Sequence, residues 1–96
     1  MLLNEWTTQR GRLVAVCDAD VLGETFENGD LSLTVEEGFY GGDATDPEEV
    51  VERLGRADVA NLVGTEVVAL AIEHGFVEES NVLDIDGTRH AQFLRL

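Results

Sequence analysis

The dipeptide Asp86-Gly87, set between the apolar-rich segments 82–85 and 88–94, constrains this chain more than any other feature. Such a pair readily takes the left-handed backbone angles of a two-residue hairpin turn, so the chain is expected to end as an antiparallel β-ribbon. Two further apolar runs, 2–6 and 13–17, are joined by a polar stretch and read as two antiparallel strands. Leu31, Leu33 and Val35 alternate with Ser32 and Thr34, the period of a strand with one face buried.

Helices are expected at three places. Asp18 can cap a short one whose apolar pair, Leu22 and Phe26, has i, i+4 spacing and which Asn28-Gly29 would stop. Asp46-Pro47-Glu48-Glu49 supplies a cap, an N1 proline and an acidic first turn in order, and turns Val50, Val51 and Leu54 inward. Asp58 can cap a longer helix running to His74-Gly75, with Val59, Val63, Val67, Leu70 and Ala71 as its stripe and Gly64 in its middle at a cost of about 1 kcal/mol. The expected architecture is α+β, a mainly antiparallel sheet with two to three helices on one face, in the order ββαβααββ. Ninety-six residues, 44% of them hydrophobic, suffice for one core, so residues 1–96 are read as a single domain.

Charge restricts function. The chain carries 20 Asp and Glu against 6 Arg with no Lys, a formal net charge of -14. At molar salt the Debye length falls to about 3 Å, which removes the self-repulsion while the carboxylates stay hydrated. Heat adaptation would instead enrich Lys alongside Glu. The composition is therefore read as adaptation to a salty cytoplasm. No apolar run reaches the roughly 18 residues of a membrane span, and residues 1–6 lack the basic start of a secretory signal, so a soluble, cytoplasmic protein with no membrane partner is expected. One cysteine and two distant histidines give no metal-ligand spacing; no metal and no cofactor are expected. Glu36-Glu37, Glu48-Glu49 and Glu78-Glu79 are adjacent pairs and read as solvated surface, not as an acid and a base.

Taken together, Cys17-Asp18, Leu22-Gly23-x-x-Phe26, Phe39-Tyr40-Gly41-Gly42, Ala60-Asn61-Leu62-Val63-Gly64 and Gly87-x-x-His90-Ala91-Gln92 resemble the archaeal family catalogued as domain of unknown function 424. The resemblance runs over nearly the whole chain. It implies a small archaeal protein with no agreed activity, associated with RNA and the translation machinery. The lysine-free surface departs from it in the direction of a haloarchaeal member.

Several residues are candidates for function. Tyr40 beside Gly41 and Gly42 could stack on a base while the glycines admit a close ligand backbone. The alternative is that Phe39 plugs the core while the glycines turn the chain. Phosphate cradling fits poorly there, because Asp43 and Asp46 bring negative charge. Asn61 and Gly64, one turn apart on the expected helix, would share a face; His90 and Gln92 share a side of the last strand. All of these also read as packed or hydrogen-bonded structural groups. Cys17 at a strand-to-helix junction could be a nucleophile with His90 as its base, or simply a small buried residue beside the cap Asp18. The leading expectation is an RNA- or ribosome-binding module that uses Tyr40, Gly41, Gly42, Asn61, Gly64, His90 and Gln92. A small enzyme built on Cys17 and His90 is the rival, and a homodimer or protein-interaction subunit pairing through the edge of the C-terminal ribbon is a third reading.

Overall fold

The computed structural model describes residues 1–95; Leu96, the last position of the expected domain, lies outside them. The described residues form β1 (Leu2–Thr8), β2 (Gly11–Cys17), β3 (Thr25–Asn28), β4 (Leu31–Thr34), α1 (Glu37–Tyr40), β5 (Asp43–Ala44), α2 (Pro47–Arg56), β6 (Val59–Val63), α3 (Thr65–Glu73), β7 (Leu83–Ile85) and β8 (Thr88–Leu94). Six strands make one sheet in the order β5-β1-β2-β6-β8-β7, and β3 and β4 form a separate two-stranded ribbon. Every pairing is antiparallel except that of β2 with β6. The fold is α+β, as the sequence predicts. No helix among the described residues is long and apolar enough to cross a membrane.

Alternation along the strands sorts the side chains into two cores. On one face α2 and α3 cover Val14, Val16, Ala60 and Leu62, and Val50, Leu54, Val67 and Val68 come down from the helices to meet them. Full burial of each Val or Leu among them contributes about 1.5–3 kcal/mol. On the other face α1 and the β3–β4 ribbon cover Ala15, Cys17 and Val63 with Val35 and Tyr40. The second cover is partial and leaves the part of that face around Gln92 and Leu94 exposed.

The N-terminal hairpin, the strand at residues 31–34, the helix at Asp46 and the C-terminal ribbon stand where the sequence puts them. Asp46 accepts a hydrogen bond from the Glu49 amide at 2.9 Å, with Pro47 in the first turn. Three segments differ. Residues 25–28 form a strand, not a helix: Phe26 pairs with Leu33, and Asn28-Gly29 opens a hairpin turn instead of ending a helix. Residues 36–45, to which the sequence assigns no helix or strand, hold the short α1 and the short β5, and α1 lies on the face opposite α2 and α3. Residues 59–63 form the central strand β6, and the long helix starts only at Thr65. Asp58 therefore caps no helix; its carboxylate accepts from the Arg12 amide at 2.8 Å and ties β6 to the β1–β2 hairpin. The element order is ββββαβαβαββ in place of ββαβααββ.

Gly64 thereby moves from the middle of a helix to a strand-to-helix junction, with φ 128° and ψ 149°. That region is almost closed to other residues. A Cβ at Gly64 would also fall onto the side chain of Asp18.

Candidate functional site

Register places Trp6, Leu13, Val59, Asn61, Gln92, His90 and Leu94 on the face of the sheet away from α2 and α3. Where α1 and the β3–β4 ribbon end, this face is uncovered. Leu94 is 51% exposed and Gln92 is exposed, with Leu13, Val59 and Asn61 half-buried beside them. A cleft of about 390 Å³ lies over this area, lined by Thr8, Arg10, Leu13, Val59, Gln92 and Leu94.

Polar groups in this area are left over from folding. Asn61 and Gln92 face each other across β6 and β8, which brings their Cβ atoms to roughly 5 Å. Among the described residues neither side-chain amide has a hydrogen-bond partner. Each offers both a donor pair and an acceptor. His90 points the same way, but its Nδ1 lies 2.9 Å from the Leu62 carbonyl. A carbonyl can only accept, so Nδ1 carries a proton and donates it, and Nε2 is left facing the open surface.

An aromatic pair borders the cleft. Trp6 and Phe39 stack with centroids 5.2 Å apart and planes 16° from parallel, and both are half-buried. Asn4 secures the arrangement by donating to the Phe39 carbonyl at 3.2 Å. Tyr40, the ring the sequence puts forward, lies inside: it is 5% exposed, meets Phe39 edge-on at 4.9 Å, and burial pushes its hydroxyl pKa up to about 12. The glycines after it serve packing. A Cβ on Gly42 would run into the Leu3 backbone, and one on Gly41 into the Glu37 carbonyl. Gly64 is occupied with Asp18 at the far end of the sheet. Of the candidate binding residues, then, Asn61, His90 and Gln92 meet on one surface, and Tyr40, Gly41, Gly42 and Gly64 lie in the framework around it.

Charge is unevenly distributed. Arg53 is held by Glu5 at 3.0 Å and Glu49 at 2.9 Å, Arg56 by Glu52 at 3.2 Å, and Arg89 by Glu79 and Asp84. Among the described residues Arg10, Arg12 and Arg95 form no ion pair, and all three stand at the cleft end of the sheet. Arg95 stacks over Phe93 at 4.9 Å and donates to the Gly55 and Ala57 carbonyls at the end of α2, which leaves Arg10 and Arg12 as uncommitted cations. Arg10 reaches the cleft itself. A larger groove, about 480 Å³, follows the β1–β5 edge, but its cation is Arg53, already neutralised by two carboxylates.

Cys17 and His90 do not form a dyad. Cys17 pairs with Val63 and Val63 with His90, so two strand spacings, about 10 Å, and the Val63 side chain separate them. Cys17 is fully buried, its Sγ lies 3.9 Å from the Tyr40 carbonyl, and burial followed by the Asp18 charge pushes the thiol pKa up to about 11. A thiol so placed stays protonated and is a poor nucleophile.

Trp6, Phe39 and Arg10 were missed as surface groups by sequence reasoning. The signal was present in part, since strand alternation puts Asn4 and Trp6 on one face with Leu13 opposite Trp6 in the hairpin. The partner that makes Trp6 a platform comes from α1, which the sequence did not reveal.

Fold and face together define a small α+β domain with a mixed sheet, one side of which is sealed by helices and the other half-covered beside an aromatic and amide surface. The chain belongs to the family described as protein of unknown function DUF424, whose sequence profile matches residues 6–96. It is also similar to the crystal structure of an uncharacterized conserved protein from Methanopyrus kandleri, at 24% identity and a TM-score of 0.79, with 99% of this chain and 92% of that one covered. That likeness speaks to the fold. No curated protein matches the chain.

Proposed function

We propose that the open face binds RNA or a ribonucleoprotein, and that the chain serves translation as a binding module. The carrying observation is the coincidence, on one uncovered surface, of the Trp6–Phe39 stack, the unpartnered Asn61 and Gln92 amides, and Arg10 at the rim. Each part has a use against a single strand. Aromatic stacking contributes about 1–3 kcal/mol per base, side-chain amides can read a base edge, and an uncommitted guanidinium can meet a phosphate. With so few cations the electrostatic share of binding is small, so affinity should fall less with salt than counterion release from many contacts would give. The tie to translation rests on the family resemblance, and the acidic surface is read as suited to strong brine.

Crosslinking and ribosome co-sedimentation in molar potassium chloride test the proposal, with Trp6→Ala and Gln92→Ala alongside the native chain. Signal in the native chain that drops in both variants is the expected result. Its absence in the native chain, or an unchanged signal in both variants, defeats the reading.

A further inference from the structure

The last strand of the sheet keeps part of its backbone edge open. Two bonds flank the β6–β8 ladder, from the Gly64 amide to the Arg89 carbonyl at 2.9 Å and from the Arg95 amide to the Asp58 carbonyl at 2.7 Å. Bonded pairs alternate along an antiparallel ladder, so Ala91 and Phe93 turn their backbone groups to β6, and His90, Gln92 and Leu94 turn theirs away. His90 is met there by Leu83, the first residue of β7. Gln92 and Leu94 have no strand opposite them, and among the described residues no hydrogen bond reaches the backbone amide or carbonyl of either.

Free backbone groups at an edge recruit another strand, and proteins ordinarily blunt such edges with charge, proline or a covering segment. Among the described residues this stretch has none of these: Gln92, Phe93 and Leu94 are uncharged, and β7 stops short of them. Leu94 is 51% exposed at one end of the gap and Leu83 is 38% exposed at the other, on the same face of the sheet. The charge beside the gap selects the partner. β8 holds no carboxylate, and Asp84, the one on β7, is held together with Glu79 by Arg89. Arg95 follows Leu94 directly, lies over Phe93 on the helix side and has no carboxylate among the described residues. Arg10 reaches the cleft that runs up to Gln92 and Leu94 on the other side. A chain with a formal net charge of -14 thus has unpaired cations at this edge.

We infer that the β8 edge receives an extended segment of a partner protein in which carboxylates alternate with apolar side chains. Added as a strand beside Gln92 and Leu94, the segment takes up both free amides and both free carbonyls. Alternation then sorts its side chains: the apolar ones cover Leu94 on the open face, and the carboxylates turn to Arg95 on the helix side. A basic segment would set like charge against Arg95. A second copy of this chain is disfavoured because its β8 brings another Arg95 and no carboxylate to the same edge. The inference concerns backbone groups of β8 and stands apart from the stack and the side-chain amides assigned to RNA.

Two end-blocked heptapeptides, glutamate alternating with valine and lysine alternating with valine, test the inference by calorimetry and NMR on the full chain. Molar potassium chloride is the medium, because a Debye length of about 3 Å leaves only charges in contact to act. The glutamate peptide should saturate, bind about fivefold more tightly than the lysine peptide, and shift the Gln92 and Leu94 amides most. Methylating every second backbone nitrogen of the glutamate peptide should weaken binding about tenfold in one phase and leave it unchanged in the other, since only alternate amides face β8. Leu94→Pro removes an edge donor that points away from β6, so the fold is kept and binding should fall about tenfold. Trp6→Ala should leave peptide binding within about twofold while lowering the RNA signal, which separates failure of one reading from failure of the other. The inference is overturned if the glutamate peptide does not saturate, if the lysine peptide binds as tightly, if both methylated forms bind alike, or if Leu94→Pro changes nothing. A dimer in sedimentation with the Gln92 and Leu94 amides protected from exchange would also overturn it, by giving the edge to a second copy.

Discussion

At one end of the central sheet a carboxylate is built into the backbone; at the other, amides and arginines stand without partners. Asp18 closes the first turn of α3 and fills the space that Gly64 leaves, so the acidic end depends on each of its atoms. Asn61, Gln92 and Arg10 at the open end support little of the fold, since among the described residues their side chains hold nothing in place. Groups spent on architecture make an end rigid and intolerant of change. Groups left over make an end changeable without loss of the fold, which is the usual condition of a binding surface.

The contrast is sharpest at Gly64. Gly64→Ala combines a forbidden backbone region with a clash against a buried carboxylate, and should cost about 4 kcal/mol or more in denaturant titration. A cost near 1 kcal/mol would mean that the junction relaxes easily and that the acidic end is not rigid. Next comes Asp18→Ala, which leaves the Glu66 and Val67 amides unpaired in a buried setting; about 3 kcal/mol should be lost.

Alkali probes the same end. Burial raises the Cys17 thiol from 9.0 to about 11 and the Tyr40 hydroxyl from 10.0 to about 12. Both folded values lie above the unfolded ones, so the stability linked to these protons is complete below about pH 9 and drains away as pH climbs through about 11. On the order of 2 kcal/mol should disappear between pH 8 and pH 10.5, and Cys17→Ala should flatten the slope. A level profile in the native chain would show that the thiol ionises as freely as in an unfolded chain. At the open end, Arg10→Ala and Gln92→Ala should each shift stability by less than about 0.5 kcal/mol. Losses as large as those at Asp18 would erase the distinction between the ends.

Legibility from sequence followed the range of the forces involved. The α2 start was readable because Asp46, Pro47 and Glu49 act on backbone within one turn, and the C-terminal ribbon because Asp86-Gly87 sets its own turn. Asn61, His90 and Gln92 were found as candidates, although Asn61 reached its surface on a strand and not on the expected helix. The sequence does not show that Phe39 rather than Tyr40 turns outward, because adjacent rings carry no mark of which one turns inward. Here Phe39 has Trp6 to stack on, and Tyr40 has the space above Cys17.

Residue types and their local order determined the class of fold, the hairpins and one helix start, because those signals are settled within a few residues. Tertiary structure alone decided that residues 25–28 and 59–63 are strands. Leu22 with Phe26, and Val59 with Val63, are four apart, a spacing that keeps two side chains on one face of a helix and of a strand alike. Only pairing with β4, and with β2 and β8, breaks that tie, by satisfying backbone groups that no local signal can assign.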